Sequence, residues 1–473
     1  MPLGCGQTKL MRYVALAAGF DGTLARDGRC DERCIDALRA LAATGRKLIL
    51  VTSRQLRELL EIFPEARIFD YVVAENGAVM YCPATRQSAI LAQAPSELLV
   101  QELRYRRVSP MSVGSSSITT LQSNEERIQG VMHKLGLDCQ LVSNDGVLSI
   151  LPAGVDKAYG VQAALRELGV SQHNLVAIGD GENDIALFSF AEHAAAVRNA
   201  NPALQHIADR TTDGPCCDGF LQFAHELIET DLAAAPPRRR LLLGSLDDGQ
   251  KLYVAPCRDS LLVCGPTGAG KSAVCEALLQ QFLAQEYQCC VIEAETGARS
   301  VRRGMTLLGE PHEAPRLTDV VNALEQPRVS ASVNLAGLAP ETRPTFTEAL
   351  MLQLQALHDR VGRPHCILIN QAHRFLTREA AASSARFSEI TMIYATSEPQ
   401  LLPANVVHSV RLIIASGEPS DTLPALREAL PQLVAYPAQG TMLGAVRRMS
   451  VLWPGSDRTD PISPGAVATA SRS

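Results

Sequence analysis

The chain has 473 residues, 46% of them hydrophobic, too long for one ordinary domain and enough to bury two sizeable cores. With 44 basic and 50 acidic residues it carries a net charge of −6, and aromatics make up only 4%. That balance excludes a globally basic surface for nucleic acid or anionic membrane and a stacking platform for single strands; Arg238 to Arg240 and Arg302-Arg303 are the only local basic candidates. The 13 cysteines are scattered, and neither Cys216-Cys217 nor Cys289-Cys290 belongs to a CxxC set, so zinc is not expected. The apolar run after Lys9 and Arg12 is too short for a signal peptide, and no apolar stretch has the roughly 18 residues of a membrane span. A reducing cytoplasm is the expected compartment, with no membrane partner.

In chain order, short β-rich runs at 13–17, 48–51, 71–74 and 175–178 alternate with helical-period segments at 31–43 and 157–168. This rhythm predicts a parallel sheet with helices on both faces. Between about 80 and 151 the rhythm changes to a separate small αβ unit, read as an insert within a first domain spanning 10–232. Residues 233–246 hold prolines and three arginines without helical periodicity, which predicts an exposed connector. A second α/β rhythm fills 247–432, with strands at 260–264, 290–293, 366–370, 391–395 and 411–415 and helices at 272–285 and 343–360. Pro, Gly, Ser and Thr then accumulate, and 433–473 reads as an irregular tail. The expected fold class is α/β, two tandem doubly wound parallel-sheet domains, the first with an αβ cap.

Four pieces of the first domain fall at expected strand ends or helix starts, where open parallel sheets place ligands. They are Phe20-Asp21-Gly22-Thr23-Leu24, Val51-Thr52-Ser53-Arg54, the helix-opening Lys157, and Ile178-Gly179-Asp180-Gly181-Glu182-Asn183-Asp184. The Thr52 hydroxyl and nearby N–H groups suit a phosphoryl oxygen, and Lys157 neutralises its charge. Asp180 with Asn183 or Asp184 supplies oxygen ligands for Mg²⁺, and Asp21 is placed to protonate a leaving group. With GDGENDIALF at 179–188 and AENGAVMY at 74–81, this set resembles the haloacid dehalogenase superfamily, in the Cof-type subgroup with an αβ cap, over roughly residues 10–230. The resemblance implies a phosphatase-type site for a small phosphorylated ligand, with Asp21, Asp180, Asn183 and Asp184 as Mg²⁺ candidates. The chain departs from the family pattern at Gly19, where the family has the aspartate that attacks phosphorus and ligates the metal. Losing a covalent nucleophile from a concerted set costs on the order of 10⁴-fold in rate or more. His133, Arg104, Arg106 and Arg107 are the insert's candidates for facing the ligand.

In the second half, a Leu261-Leu262-Val263-Cys264 strand runs into Gly265-Pro266-Thr267-Gly268-Ala269-Gly270-Lys271-Ser272, a full GxxxxGK[ST] match before a helical segment. Glycines let backbone N–H groups wrap phosphate, Lys271 reaches the β and γ oxygens of ATP, and Ser272 ligates Mg²⁺. The following acidic strand end is replaced by Asn370-Gln371 in HCILINQAH: Asn370 still accepts a hydrogen bond from a metal-bound water, whereas Gln371 takes no proton. This half resembles the HerA/FtsK branch of P-loop ATPases over roughly 240–432. The resemblance implies an acidic turn at Glu293 and Glu295, a polar sensor at Thr396 or Ser397, and a homo-oligomeric ring. In such a ring a neighbouring subunit's arginine completes the site, with Arg302, Arg303, Arg328 and Arg343 eligible. It also implies DNA as partner, which the composition does not support.

Both halves keep the groups that hold phosphate and replace those that break its bonds. The leading expectation is an ATP-binding, phosphate-binding regulatory protein with little turnover. Two alternatives stay open: an active ATPase, of which Asn370 and Gln371 make a trapped form, and a Mg²⁺-dependent phosphatase of small phosphate esters.

Overall fold

The computed structural model describes residues 11–294, 302–376, 389–416, 424–426, 438–442 and 449–452. The chain divides into two compact units, Met1–Arg238 and Arg239–Ser473.

The first unit is built on an eight-stranded sheet. Its order is Arg210–Thr211, His193–Ala196, Leu175–Gly179, Ala15–Gly19, Lys47–Val51, Tyr71–Ala74, Val79–Cys82, Gln87–Ile90. The first six run parallel and the last two turn back antiparallel. Every residue of Ala15–Gly19 and Leu175–Gly179 is buried, as expected for strands covered on both faces. Helix Glu32–Ala43 starts where the Asp31 side chain accepts from the Arg33 N–H, and it lays Cys34, Leu38 and Leu41 on the core. Helix Lys157–Leu168 is capped in the same way by Asp156 and stops at Gly169, whose φ is 64°.

A second, four-stranded antiparallel sheet forms the cap: Cys139–Asn144, Val147–Pro152, Ile118–Leu121 and Met111–Val113. With helices Glu97–Tyr105 and Glu125–Leu135 it has its own core of Leu99, Leu103, Ile118, Ile128, Val131, Leu148 and Ile150. The expected insert boundary near 80 is too early. Val79–Cys82 and Gln87–Ile90 extend the main sheet as a hairpin because the Glu75–Gly77 turn folds the chain straight back onto Tyr71–Ala74.

The second unit holds an eleven-stranded mixed sheet. Its parallel part runs Leu412–Ala415, Leu261–Cys264, Thr391–Thr396, Cys366–Asn370, Cys289–Glu293, Ser330–Asn334, Met305–Leu308. Four strands continue it antiparallel from Leu412–Ala415: Met449–Leu452, Ala438–Met442, Leu241–Leu246 and Lys251–Val254. Two expectations change here. The connector 233–246 ends in a buried strand, Leu241–Leu246, because its leucines close the core under helix Lys271–Ala284. Part of the region 433–473 is strand, pairing back on Leu241–Leu246 and Leu412–Ala415; residues after Leu452 lie outside the described set. Arg238 is not a solvated linker residue either. It bonds Asp209 at 2.9 Å and the carbonyls of Phe188 and Ile207. Both units are α/β.

Candidate functional sites

In the first unit the strand ends of Ala15–Gly19, Lys47–Val51 and Leu175–Gly179 converge, because the three strands are neighbours in parallel register. Their loops, with the first residue of helix Lys157–Leu168, bring together Lys157, Asp180, Asn183 and Asp184. Asp184 is fully buried and accepts from Lys157 Nζ at 2.7 Å, and its other oxygen takes the N–H groups of Asp180 and Gly181. Lys157 also reaches Asn183 Oδ1 at 3.0 Å, and Asn183 donates to Asn76 Oδ1 at 2.9 Å. Asp180 accepts from the Thr23 hydroxyl at 2.9 Å. Burial, with the Asp184 charge, raises the Asp180 carboxyl to about 7 against the opposing pull of Lys157 and Thr23. Thr52 is buried, its hydroxyl accepting from the Arg54 N–H at 3.1 Å.

Gly19 ends the central strand beside Gly179, so no carboxylate projects at the nucleophile position. The loop after it is tight. Gly22 has φ +70°, and a Cβ there would lie 1.8 Å from Asp180 Oδ2, so only glycine fits. Asp21 stands apart from the Asp180 cluster: both its oxygens are bound by Arg54, at 2.8 and 2.9 Å.

The Mg²⁺ set expected from Asp21, Asp180, Asn183 and Asp184 is not assembled. Among the described residues, no three His, Cys, Asp or Glu side chains are placed to share an ion. Gly19 contributes no ligand, Arg54 engages Asp21, and Lys157 engages Asp184. A divalent ion does not fit this side-chain set without further oxygen donors.

The sequence reading missed Glu75, whose signal lay in the AENGAVMY stretch. It is 2% exposed with φ 52°, and it accepts from the N–H groups of Ser115, Ser116 and Ser117 and from the Ser117 hydroxyl at 2.8 to 3.1 Å. One core carboxylate thus clamps the cap loop. The cap candidates Arg104, Arg106, Arg107 and His133 are all exposed, and Arg106 pairs with Glu102.

In the second unit, Gly265 to Ser272 connect strand Leu261–Cys264 to helix Lys271–Ala284, with Thr267, Gly268 and Ala269 at the tip. Gly265, Gly268 and Gly270 have φ of +137°, +83° and +97°. At Gly265 a Cβ would lie 2.1 Å from the Ser416 carbonyl, so the loop's first residue must be glycine. Lys271 Nζ sits inside the curl, donating to the Gly265 and Pro266 carbonyls at 2.6 and 2.8 Å. A loop wrapped around an ammonium group, opening a helix N-terminus, has the chemistry of a phosphate cradle.

Strand register brings Thr396 opposite Cys264, where the loop begins, and Asn370 opposite Ala395, one strand further out. Gln371 follows in the left-handed region at φ 58°. Glu293 is fully buried and held by Arg302 and by the Ser332 hydroxyl at 2.9 Å. Arg302 also contacts Glu276, and Arg343 donates to the Leu338 and Ala336 carbonyls, so two eligible arginines serve their own chain. Arg303 and Arg328 are exposed, and Glu295 lies outside the described residues. No helix among the described residues is long and apolar enough to cross a membrane.

A family model described as haloacid dehalogenase-like hydrolase matches residues 16–105 and 115–223, and one described as an AAA domain matches 258–404. The phosphoglycolate phosphatases of Haloarcula marismortui and Pyrobaculum aerophilum are each 28% identical, over 44% and 48% of this chain and 94% and 100% of theirs. The crystal structure of a haloacid dehalogenase-like hydrolase from Bacteroides thetaiotaomicron aligns with 46% of this chain and 99% of its own, at 18% identity and a TM-score of 0.41. The chain therefore carries a haloacid dehalogenase-like hydrolase domain in its N-terminal half and an AAA-type P-loop domain in its C-terminal half.

Proposed function

We propose that the protein is an ATP-responsive binder of a small phosphorylated ligand, with the phosphate-holding groups of both domains intact and turnover slow in each. The observation that carries this reading is Gly19, a strand end without a side chain where its relatives' chemistry needs a nucleophile, set beside a buried Lys157 that still offers a cation. Thr52, Lys157 and Asn183 hold the phosphoryl group, while Asp21 lacks the partner with which it would act as acid. In the second domain the Gly265 to Ser272 loop and Lys271 hold the phosphates of ATP. Ser272 and the uncharged Asn370 would hold Mg²⁺ weakly, and the ion would supply charge neutralisation on the phosphates of ATP. ATP occupancy sets the state of the protein. Calorimetry with ATP and with phosphoglycolate, beside phosphate release over hours, tests this: binding with little release supports it, and rapid Asp21-dependent release refutes it.

A second reading is a phosphatase of small phosphate esters with the AAA domain as regulator. The 28% identity to phosphoglycolate phosphatases across 94% of their length favours it. It requires phosphate release that is lost in Asp21→Asn. The finer HerA/FtsK assignment, with a homo-oligomeric ring and an arginine donated in trans, rests on exposed Arg303 and Arg328, and it predicts that ATP shifts the protein to a larger species in light scattering.

A further inference from the structure

The ATP site lacks a proton acceptor at Gln371, yet a second acceptor lies two residues on. His373 Nδ1 is 2.8 Å from Thr396 Oγ1, and its Nε2 is 3.4 Å from Glu398 Oε1. The Thr396 oxygen also accepts the Glu398 N–H at 3.0 Å. A carboxylate only accepts, so the imidazole proton belongs on Nε2 facing Glu398, and Nδ1 is left to accept from the Thr396 hydroxyl. The result is a hydroxyl, imidazole and carboxylate in line, with the hydroxyl at the strand end beside the phosphate loop. His373 is 8% exposed and Glu398 48%, so the chain leads from a dry end at the nucleotide to a wet end at the surface.

We propose that this Thr396, His373, Glu398 chain is the proton outlet of the ATP site, replacing the proton acceptor that Gln371 cannot supply. The inference rests on the reading of this domain as ATP-binding, and it adds the means by which the bound state is slowly reset. Water oxygen bonds to the γ-phosphorus while the bond to the β–γ bridging oxygen breaks, and ADP leaves with that electron pair. The water proton passes to Thr396 Oγ as the Thr396 proton passes to His373 Nδ1. One proton leaves the imidazolium through Glu398 to solvent, so His373 acts through Thr396 as a positioning residue. The charged groups facing the imidazole agree with this: burial, Arg374 and Lys271 hold it below its ordinary value and keep it ready to accept, and Glu398 alone pulls the other way.

The test uses the full chain with Mg²⁺ and ATP, reading affinity by calorimetry and hydrolysis in single turnover across pH. Expected is slow hydrolysis with an acid limb, cut about 100-fold in His373→Gln with ATP affinity unchanged. The limb should be absent from the residual rate of that variant, and Thr396→Ser, which keeps the hydroxyl, should lose far less than Thr396→Val. Bound ATP with no hydrolysis above the uncatalysed rate, or His373→Gln with the wild-type rate and acid limb, overturns the inference alone. Failure of ATP to bind overturns the underlying reading and the inference with it.

Discussion

Replacing Gly19 with aspartate is the sharpest test of the N-terminal domain. The backbone of Gly19 lies outside the left-handed region, so a side chain brings no strain there. An added Cβ would lie 3.0 Å from Thr23 Oγ1, 3.5 Å from Thr23 Cβ and 3.6 Å from Gly179 Cα. Only a hydroxyl has to yield, by a few tenths of an ångström, and that hydroxyl already leans on Asp180. The new carboxylate would then project at the end of the central strand, close to Asp180. If Gly19 is the sole block, Gly19→Asp restores on the order of 10⁴-fold in phosphate release, or about 5 kcal/mol of barrier. An acidic side chain beside Asp180 also adds an oxygen donor for Mg²⁺, so metal affinity and rate should rise together. The assay is phosphate release from phosphoglycolate and p-nitrophenyl phosphate against Mg²⁺, with Gly19→Asp, Asp21→Asn as the inactive control. A variant that melts like the parent and binds Mg²⁺ but releases no phosphate would refute the argument, showing that the Arg54 hold on Asp21 or the cap closes the site independently.

Lys157→Met leaves the fully buried Asp184 without its cation, at a cost of about 3–5 kcal/mol. The first unit's melting temperature should drop by roughly 10 °C in calorimetry, and Asp184→Asn in the same chain should recover part of it. Lys271→Ala should weaken ATP binding on the order of 100-fold by calorimetry with no change in melting temperature, since its bonds go only to loop carbonyls. Glu75→Ala should raise amide exchange at Ser115, Ser116 and Ser117 well before the rest of the cap, and unchanged exchange there would discount the clamp. Burial lowers His358 to about 4, with its Nδ1 on the Pro364 carbonyl. The folded state therefore binds fewer protons than the unfolded one, and stability falls as pH drops from about 6.5 to about 4, by roughly 3 kcal/mol. In His358→Gln, denaturant titrations over that range should show a correspondingly flatter loss.

The parallel strands were legible because each is a continuous apolar run ending in a polar turn, and the phosphate loop because its glycines and lysine have a fixed spacing. Local pattern did not reveal Leu241–Leu246 or the strands at 438–442 and 449–452. They pair antiparallel with partners up to about 200 residues away, and proline, glycine and arginine neighbours mask them. Tertiary placement also hid the roles of Glu75 and Arg302. Glu75 reads as part of a turn until the cap loop, 40 residues on, supplies its donors. Arg302 reads as a free cation until strand geometry puts it on Glu293. His373 was visible in the sequence, but its bond to Thr396 depends on two adjacent strands ending level.

The buried pair of Lys157 and Asp184 bears on whether the first domain still meets phosphate. Ion pairs taken out of water return little net stability, and apolar residues of similar volume often serve as well or better. Stability alone therefore does not account for an ammonium group 5% exposed at the mouth of three converging strands. Its second contact, with Asn183, and the Asn183 bond to Asn76 gather a cation and two amides in a domain whose Gly19 lacks the nucleophile's charge. Without that negative charge, a dianionic phosphate approaches Lys157 against less repulsion than in a domain carrying aspartate at this position. On the proposed reading, Gly19 separates holding a phosphate from breaking it. Gly19→Asp should weaken the binding of inorganic phosphate in the absence of Mg²⁺ by the same change that restores turnover in its presence.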